Sequence, residues 1–132
     1  MNLSIEEANE AMPFAKAIGV EFTRVDSEVV QAHLDWAPER CTVAGAMHGG
    51  ALLTLADAAG ALAAFVNLPA GASGTTTVTS AANFVRAVRG GRANAESIVL
   101  HRGRSTIVAE TTITDSEGRT VAKVSQTQAV LS

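Results

Sequence analysis

Asp57 is the residue of this chain that most needs a chemical explanation. It lies inside the longest apolar run of the sequence, from Ala51 to Val66, where no side chain one helical turn away can neutralise a carboxylate. Burying an ionised carboxylate without a partner is costly, so the position indicates an acid that faces a polar cavity, as acids at functional sites do. The alternative is that Asp57 hydrogen-bonds to hydroxyl groups of the threonine-rich segment 75–79, or lies in solvent at the rim of the helix.

The tripeptide His48, Gly49 and Gly50 precedes this run and offers a second chemical feature. The first turn of a helix has unpaired N–H groups at the positive end of the helix dipole, and glycine lets a ligand approach the backbone closely. Together these properties predict a site for an oxyanion. Two other interpretations stay open: the glycines form a closely packed turn, and His48 fixes the loop through a backbone hydrogen bond.

The spacing of the two features predicts a site shared by two subunits. Asp57 follows Gly49 by eight residues, which is roughly 12 Å along a helix. The carboxylate and the N–H groups of one chain therefore cannot both reach one small carbonyl group. If two copies pack their long helices antiparallel about a two-fold axis, Asp57 of each copy comes near Gly49 of the other. A homodimer with two equivalent sites is the expected active unit.

The elements that must position these residues form a single α+β domain, residues 1–132. The spacing from Ser4 to Glu7 predicts a capping box and a short helix that ends at Pro13. The long helix is apolar around nearly its whole circumference, so a sheet must curl around it and a partner subunit must cover the remainder. The sequence predicts this helix over 51–66 and antiparallel strands over 20–24, 29–36, 75–88, 92–101, 104–114 and 119–131.

Composition excludes several classes of protein. The 132 residues are 47% hydrophobic, as expected for one folded core, and the net charge of −3 lacks the basic excess of a nucleic-acid-binding protein. The single cysteine, Cys41, cannot form an internal disulfide and has no second thiol at metal-ligand spacing, so we expect a reducing compartment and no metal site. The start of the chain lacks the pattern of a secretory signal, and the apolar run is too short to span a bilayer. We therefore expect a cytoplasmic protein that binds neither membrane nor nucleic acid.

The string from His48 to Gly60, HGGALLTLADAAG, closely resembles the motif of hotdog-fold acyl-CoA thioesterases of the phenylacetic-acid-degradation and 4-hydroxybenzoyl-CoA types. The resemblance covers nearly the whole chain and includes the segments 83–86 and 102–106. It implies a curved sheet wrapped around a central helix, subunits that join their sheets edge to edge, and dimers that pair into tetramers. It also implies that the N–H of Gly49 polarises the thioester carbonyl, that Asp57 of the facing subunit is general base or nucleophile, and that His48 shapes the loop.

The resemblance also draws attention to two threonines. Six residues before His48 the family commonly carries Asn or Gln, an amide that helps to orient the carbonyl or the water. This chain has Thr42 instead, whose hydroxyl is shorter and offers one donor. Thr77 stands where related enzymes place a Ser or Thr that positions the attacking water. Strand propensity alone is the other explanation for a threonine at that position.

Coenzyme A carries phosphate groups, which call for cations. The resemblance places Arg86, Ser105 and Thr106 at nucleotide-contacting positions, and Arg104 stands beside them in the sequence. Guanidinium groups suit phosphate because their forked donors engage two oxygens at once. Gly50 completes the expected substrate-binding set. The alternative for each arginine is a solvated residue in a turn.

These observations predict an enzyme that hydrolyses an acyl-CoA, with an aryl or medium-chain acyl group, to the free acid and coenzyme A. No cofactor is expected, since coenzyme A enters as part of the substrate. Two rival functions use the same fold: a noncatalytic acyl-CoA-binding module and an enoyl-CoA hydratase. A hydratase usually needs an Asp and a His acting on one water, and no histidine after the helix is placed to pair with Asp57.

Overall fold

The computed structural model describes residues 2–132, in which one curved antiparallel sheet wraps around a long helix. The helices are α1 (Ile5–Ala11), α2 (Pro13–Ile18) and α3 (Gly49–Phe65), with short 3-10 turns at Pro38–Arg40 and Val43–Gly45. The strands are β1 (Glu21–Val25), β2 (Val30–Asp35), β3 (Gly74–Phe84), β4 (Arg92–Arg102), β5 (Thr106–Thr114) and β6 (Thr120–Leu131). The strand order is β1-β2-β4-β5-β6-β3. This arrangement confirms the predicted α+β hotdog fold.

The chain contains a helix that the sequence analysis did not predict. Pro13 does not only end α1 but also begins α2, because proline fits the first helical position, where its missing N–H costs no bond. Gly19 then ends α2 in the left-handed conformation, with φ at +106°. The predicted capping box of Ser4 and Glu7 is present at the start of α1. Of the helices in the described part of the chain, none is long and apolar enough to cross a membrane.

Helix α3 turns most of its surface toward the sheet but leaves one stripe uncovered in the single chain. The stripe contains Gly50, Leu53 and Asp57, all exposed, at the spacing of one helix face. Asp57 is thus not surrounded by apolar side chains within one subunit, because one sheet covers the helix from one side only. The buried face consists of Leu52, Leu55, Ala56, Ala58, Ala59, Gly60, Leu62, Ala63 and Ala64.

Strand β3 forms an edge of the sheet and pairs only with β6 among the described residues. It ends at Phe84, four residues earlier than predicted, and the chain then leaves the sheet on its way to β4. A bulge interrupts the pairing between Thr77 and Thr79. Nearly all side chains of β3 are exposed or half-buried. A long edge strand of this kind presents free N–H and C=O groups to which another strand can pair.

Two turns at opposite ends of β5 differ in what holds them. Before β5, the N–H of Gly103 donates to the carbonyl of Thr106 at 2.8 Å, so the strand begins two residues later than predicted. After β5, the buried carboxylate of Asp115 accepts the N–H groups of Glu117 and Arg119 at 3.0 and 2.9 Å. Burial alone would raise the pKa of Asp115, but these bonds and the Arg119 guanidinium together lower it by more than burial raises it. The pKa therefore lies below its usual range.

Candidate active site

The loop before α3 is tied to the rest of the chain by backbone bonds. Cys41 and Met47 form an isolated antiparallel bridge. The N–H of Met47 donates to the carbonyl of Val88 at 2.8 Å, and the N–H of His48 donates to the carbonyl of Arg40 at 2.8 Å. The first residues of α3 therefore have a defined position relative to the end of β3.

His48 is the N-cap residue of α3. Its Nδ1 accepts the N–H of Gly50 at 2.8 Å, which agrees with the interpretation that His48 fixes the loop. Because Nδ1 is the acceptor, a neutral His48 has its proton on Nε2. A Cβ at Gly50 would lie 2.9 Å from Nδ1, too close for this cap, and this explains the second glycine. The bond also occupies the Gly50 amide, which is then not free for a substrate.

The N–H of Gly49 accordingly stays free. As the first residue of α3, Gly49 has no preceding turn of helix to accept its proton, and its N–H has no other acceptor among residues 2–132. It also lies at the positive end of the helix dipole. These are the properties of a donor for a developing oxyanion. The hollow next to it is lined by Ala46, Met47, Leu52, Phe84, Val85, Arg86 and Ala87.

Asp57 lies eight residues further along the uncovered stripe and is hydrogen-bonded to the sheet. Thr77 Oγ1 donates to Asp57 Oδ1 at 3.0 Å. The alternative stated for Asp57, a bond to the threonine-rich strand with the carboxyl group at the surface, is therefore what the single chain shows. The groove beside Asp57, of about 340 Å³, is otherwise lined by Ala11, Met12, Pro13, Phe14, Ala15, Thr54 and Ala58.

Two glutamines on β6 complete this network, and the sequence analysis did not single them out. Gln128 Nε2 donates to Thr77 Oγ1 at 2.7 Å, and Gln126 Nε2 donates to Asp57 Oδ1 at 3.3 Å. A side chain at Gly60 would overlap that of Gln126, so the glycine lets the amide pack against α3. The available signal was the alternation of β6, which puts both glutamines on the same face as the buried Val124.

The single chain does not bring Asp57 and Gly49 to one cavity. Asp57 faces the groove between α2 and α3, whereas Gly49 faces the hollow at the end of β3. Both nevertheless lie against the same strand. Thr77 contacts Asp57 near the beginning of β3, and a Cβ at Gly49 would meet the ring of Phe84, at the end of β3, at 3.7 Å. Strand β3 therefore runs alongside both candidate site residues.

The predicted substrate-binding residues divide between two regions. Arg86 is exposed just beyond the end of β3, in a hollow it shares with Arg89 and Arg119. Arg104, Ser105 and Thr106 are exposed in the turn before β5. That turn lies at the other end of β3, because the register through β6 aligns 106 with 129 and 129 with 76.

Thr42 lies in the loop before α3, where its side chain is exposed and its N–H donates to the carbonyl of Ala46 at 2.8 Å. Its backbone therefore helps to shape the turn that leads to His48. The structure gives its hydroxyl no bond to Gly49 or Asp57. The role of Thr42 toward a substrate stays a prediction.

Comparison with known families identifies the class of protein. The model of the thioesterase superfamily matches residues 44–122, which include the end of the loop before α3, all of α3, the strands β3, β4 and β5, and the start of β6. The chain belongs to this superfamily. The matched segment contains Gly49 and Asp57, and the superfamily defines the chain as a thioester hydrolase.

Individual relatives agree with this assignment. The protein Rv1847 of Mycobacterium tuberculosis, provisionally named an esterase, is 31% identical over 117 residues, 87% of this chain and 84% of the relative. Its solved structure matches with a TM-score of 0.87 over 91% of this chain and 97% of that one. The proofreading thioesterase EntH of Cronobacter turicensis is 29% identical over 90% of this chain and 86% of its own. A hypothetical thioesterase of Streptococcus pneumoniae, solved with coenzyme A, shares the fold at 24% identity, with a TM-score of 0.81 over 96% of each chain.

Proposed function

We propose that this protein is an acyl-CoA thioesterase that releases a free acid and coenzyme A. In this proposal the active unit is a homodimer with two equivalent sites, each built from Asp57 of one subunit and the Gly49 N–H of the partner. The observation that carries the proposal is that both residues lie against the edge strand β3, whose outer edge has no partner strand among the described residues.

The geometry of β3 supports the shared site. Thr77 lies beside Asp57 and Phe84 lies beside Gly49, and the strand's outer edge is free among the described residues. Antiparallel pairing of two β3 strands about a two-fold axis through Ala81 would pair Ser80 of one subunit with Ala82 of the partner subunit. The bulge between Thr77 and Thr79 would then bring Thr77 close to Phe84 of the partner subunit. That register would bring each Asp57 toward the partner's Gly49. The sheets of two subunits would then continue into one another.

The proposed chemistry uses the carboxylate, the backbone amide and water. Water attacks the thioester carbon while Asp57 takes its proton, and the carbonyl electron pair becomes an oxyanion that the Gly49 N–H stabilises. When the carbonyl re-forms, the carbon–sulfur bond breaks and the thiolate of coenzyme A leaves, taking up a proton. In the other route Asp57 attacks the carbon itself, the carbon–sulfur bond breaks with loss of the coenzyme A thiolate, and water then cleaves the resulting anhydride to the free acid and Asp57. Both routes develop an oxyanion on the same carbonyl oxygen, for which one well-placed donor contributes about 3–4 kcal/mol.

The lining of the groove between α2 and α3 suits an uncharged, apolar acyl group. Apart from Asp57 and Thr54, its lining side chains are apolar. Phe14, with 70% of its surface exposed, stands at the mouth of the groove and offers an aromatic face. A free carboxylate on the acyl group would be repelled by Asp57 and would find no cation among these lining residues. Aryl and medium-chain acyl groups fit this chemistry.

The exposed arginines suit the nucleotide half of a coenzyme A thioester. Pairing of β3 with its copy would bring Arg86 of the partner subunit to the end of the strand where Arg104, Ser105 and Thr106 lie. Donors from two subunits would then face the phosphates together. The Streptococcus pneumoniae protein of the same fold was solved with coenzyme A, which is consistent with this ligand.

Two wider parts of the proposal concern assembly and location. Ile98 and Leu100 of β4 are exposed apolar side chains away from the β3 edge, and they supply a surface through which two dimers could form a homotetramer. The free thiol of Cys41 is consistent with a reducing cytoplasm, where acyl-CoA would be the substrate and no cofactor would be required.

Thiol release from a panel of acyl-CoA esters tests the function. We expect the wild type to cleave benzoyl-CoA or octanoyl-CoA faster than succinyl-CoA, because the groove is apolar. Asp57→Ala should lower kcat at least about a hundredfold with the fold intact by circular dichroism. Glu28→Ala, at an exposed acid outside the groove, is the matched control and should retain full activity.

The other functions give different results in the same assay. An acyl-CoA-binding module would bind the esters without releasing thiol from any of them. A hydratase would change the absorbance of an enoyl-CoA without releasing thiol. An Asp57→Ala variant as active as the wild type would refute the role of the carboxylate.

A further inference from the structure

We propose that Gln126 and Gln128 are positioning residues that hold Asp57 by its Oδ1 oxygen and so make Oδ2 the oxygen that reacts. The inference rests on the proposed function of Asp57 and extends it to two residues of β6 that do not touch the reacting atoms.

The hydrogen bonds to Asp57 converge on a single oxygen. Oδ1 accepts from Thr77 Oγ1 at 3.0 Å and from Gln126 Nε2 at 3.3 Å. Gln128 Nε2 donates to Thr77 Oγ1 at 2.7 Å, so the hydroxyl proton of Thr77 is directed at the carboxylate. Oδ2 has no protein donor among residues 2–132. It is the oxygen left to meet a water or a thioester carbon.

Burial makes this arrangement a rigid one. Gln126 and Gln128 each have 1% of their surface exposed, in contrast to the exposed Asp57 and Thr77 that they support. Side chains packed in a protein interior have few alternative rotamers, whereas surface carboxylates rotate freely. Hydrogen bonds from the two buried glutamines therefore limit the rotation of the Asp57 carboxylate, directly from Gln126 and through Thr77 from Gln128. A bond from Thr77 alone would leave the carboxylate more freedom to rotate.

A packing role does not account for the Gln126 amide. Gln126 Oε1 is buried and has no hydrogen-bond partner among the described residues, a condition that an apolar side chain of similar size would avoid. The chain also carries Gly60 within α3, where alanine is the better helix former, and the glycine provides the room that this amide occupies. Both unfavourable features are explained if the Nε2 donor is needed at Asp57.

Steady-state kinetics test the proposal on Gln126→Met, which keeps the side-chain length but removes the donor. We expect kcat for the best ester of the panel to fall about tenfold at neutral pH, which corresponds to the loss of one bond to a charged group. KM should change less than about twofold, because the substrate groove keeps its lining. Gly60→Ala should also lower kcat, because it displaces the Gln126 amide without altering it.

Thr111→Val is the matched control in the same core. Its buried Oγ1 also has no hydrogen-bond partner among the described residues, but it lies on β5 and does not bond to Asp57, so kcat should stay at the wild-type value. If Gln126→Met lowers only the melting temperature and leaves kcat unchanged, the glutamine packs the core and does not position Asp57.

A spectroscopic measurement separates failure of this inference from failure of the proposed function. The side-chain carboxyl carbon of Asp57 is observed by NMR at neutral pH in the wild type and in Gln126→Met, and the signal is assigned from its loss in Asp57→Asn. A changed chemical shift in Gln126→Met, with the signal unchanged in Thr111→Val, supports the contact whether or not any ester is hydrolysed. An identical chemical shift in Gln126→Met overturns it even if the wild type proves to be an active thioesterase.

Discussion

A mixture of two inactive variants should recover activity if each site is shared between subunits. One variant is Asp57→Ala, which removes the carboxylate. The other is Gly49→Pro, which removes the free N–H and little else. Proline suits the first helical position, and His48 before it has φ −62° and ψ 136°, the extended conformation that a following proline requires. Each variant alone is expected to keep about 1% of wild-type activity or less, given the loss typical of one oxyanion donor or one general base.

The amount recovered follows from the two-fold geometry. In a mixed dimer, one site combines both defects, and the other combines an intact Asp57 with an intact Gly49 from the opposite chain. Random exchange of equal amounts places about half of the chains in mixed dimers, each with one working site of two, so activity should rise to about a quarter of the wild type. That is about 25-fold above either parent. Sites contained within one chain would recover nothing.

The assay refolds the two variants together with different affinity tags and measures thiol release first from the whole mixture, where about a quarter of the wild-type activity is expected. Dimers then purified through both tags should show about half of the wild-type activity, because each has one working site of two. Gly49→Ala is the control for the glycine position, because its Cβ would meet Phe84 at an ordinary 3.7 Å and its N–H is kept. It should be far more active than Gly49→Pro. Doubly tagged dimers no more active than their parents would refute the reasoning on which the shared site is based.

Two further predictions concern the β3 edge and the turn at Asp115. Val78→Glu puts a charge on an exposed edge residue and should shift the protein toward monomers in analytical ultracentrifugation while thiol release falls in parallel. Val43→Glu, at a loop position that is even more exposed, should do neither. Unchanged sedimentation of Val78→Glu would show that β3 is not the interface. Hydrogen bonds hold the pKa of Asp115 in the folded protein below its usual range, against the opposing effect of burial. The carboxylate therefore stabilises the fold at pH values above its pKa in the unfolded chain, about 4, and this stabilisation is lost as the pH falls through its pKa in the folded protein. Asp115→Asn should therefore unfold at lower urea concentration than the wild type at pH 7, and the difference should narrow below about pH 4; a difference independent of pH would contradict this account.

The sequence predicted those parts of the fold that depend on local pattern. The apolar run predicted α3 to within two residues at its start. Alternation predicted β1, β2 and β6, and the β-branched residues and turn residues of the segments between predicted the other strands, because all of these signals are local in the sequence. The boundaries near Pro13 and Phe84 were wrong. A proline both ends one helix and suits the first turn of the next, and whether the chain leaves the sheet after Phe84 is decided by pairing with β6 rather than by the residues themselves.

The candidate site also has features that the sequence predicted and features that only the tertiary structure decided. The spacing from His48 to Asp57 is a property of one helix, so the sequence alone predicted the candidate residues His48, Gly49 and Asp57 and their separation along α3. The tertiary structure decided what surrounds them. Asp57 is bonded to Thr77, Gln126 and Gln128 lie behind it, and β3 has an outer edge without a partner strand among the described residues. These facts depend on the register between strands distant in the chain, which no local pattern encodes and which the packing of the whole sheet around α3 determines.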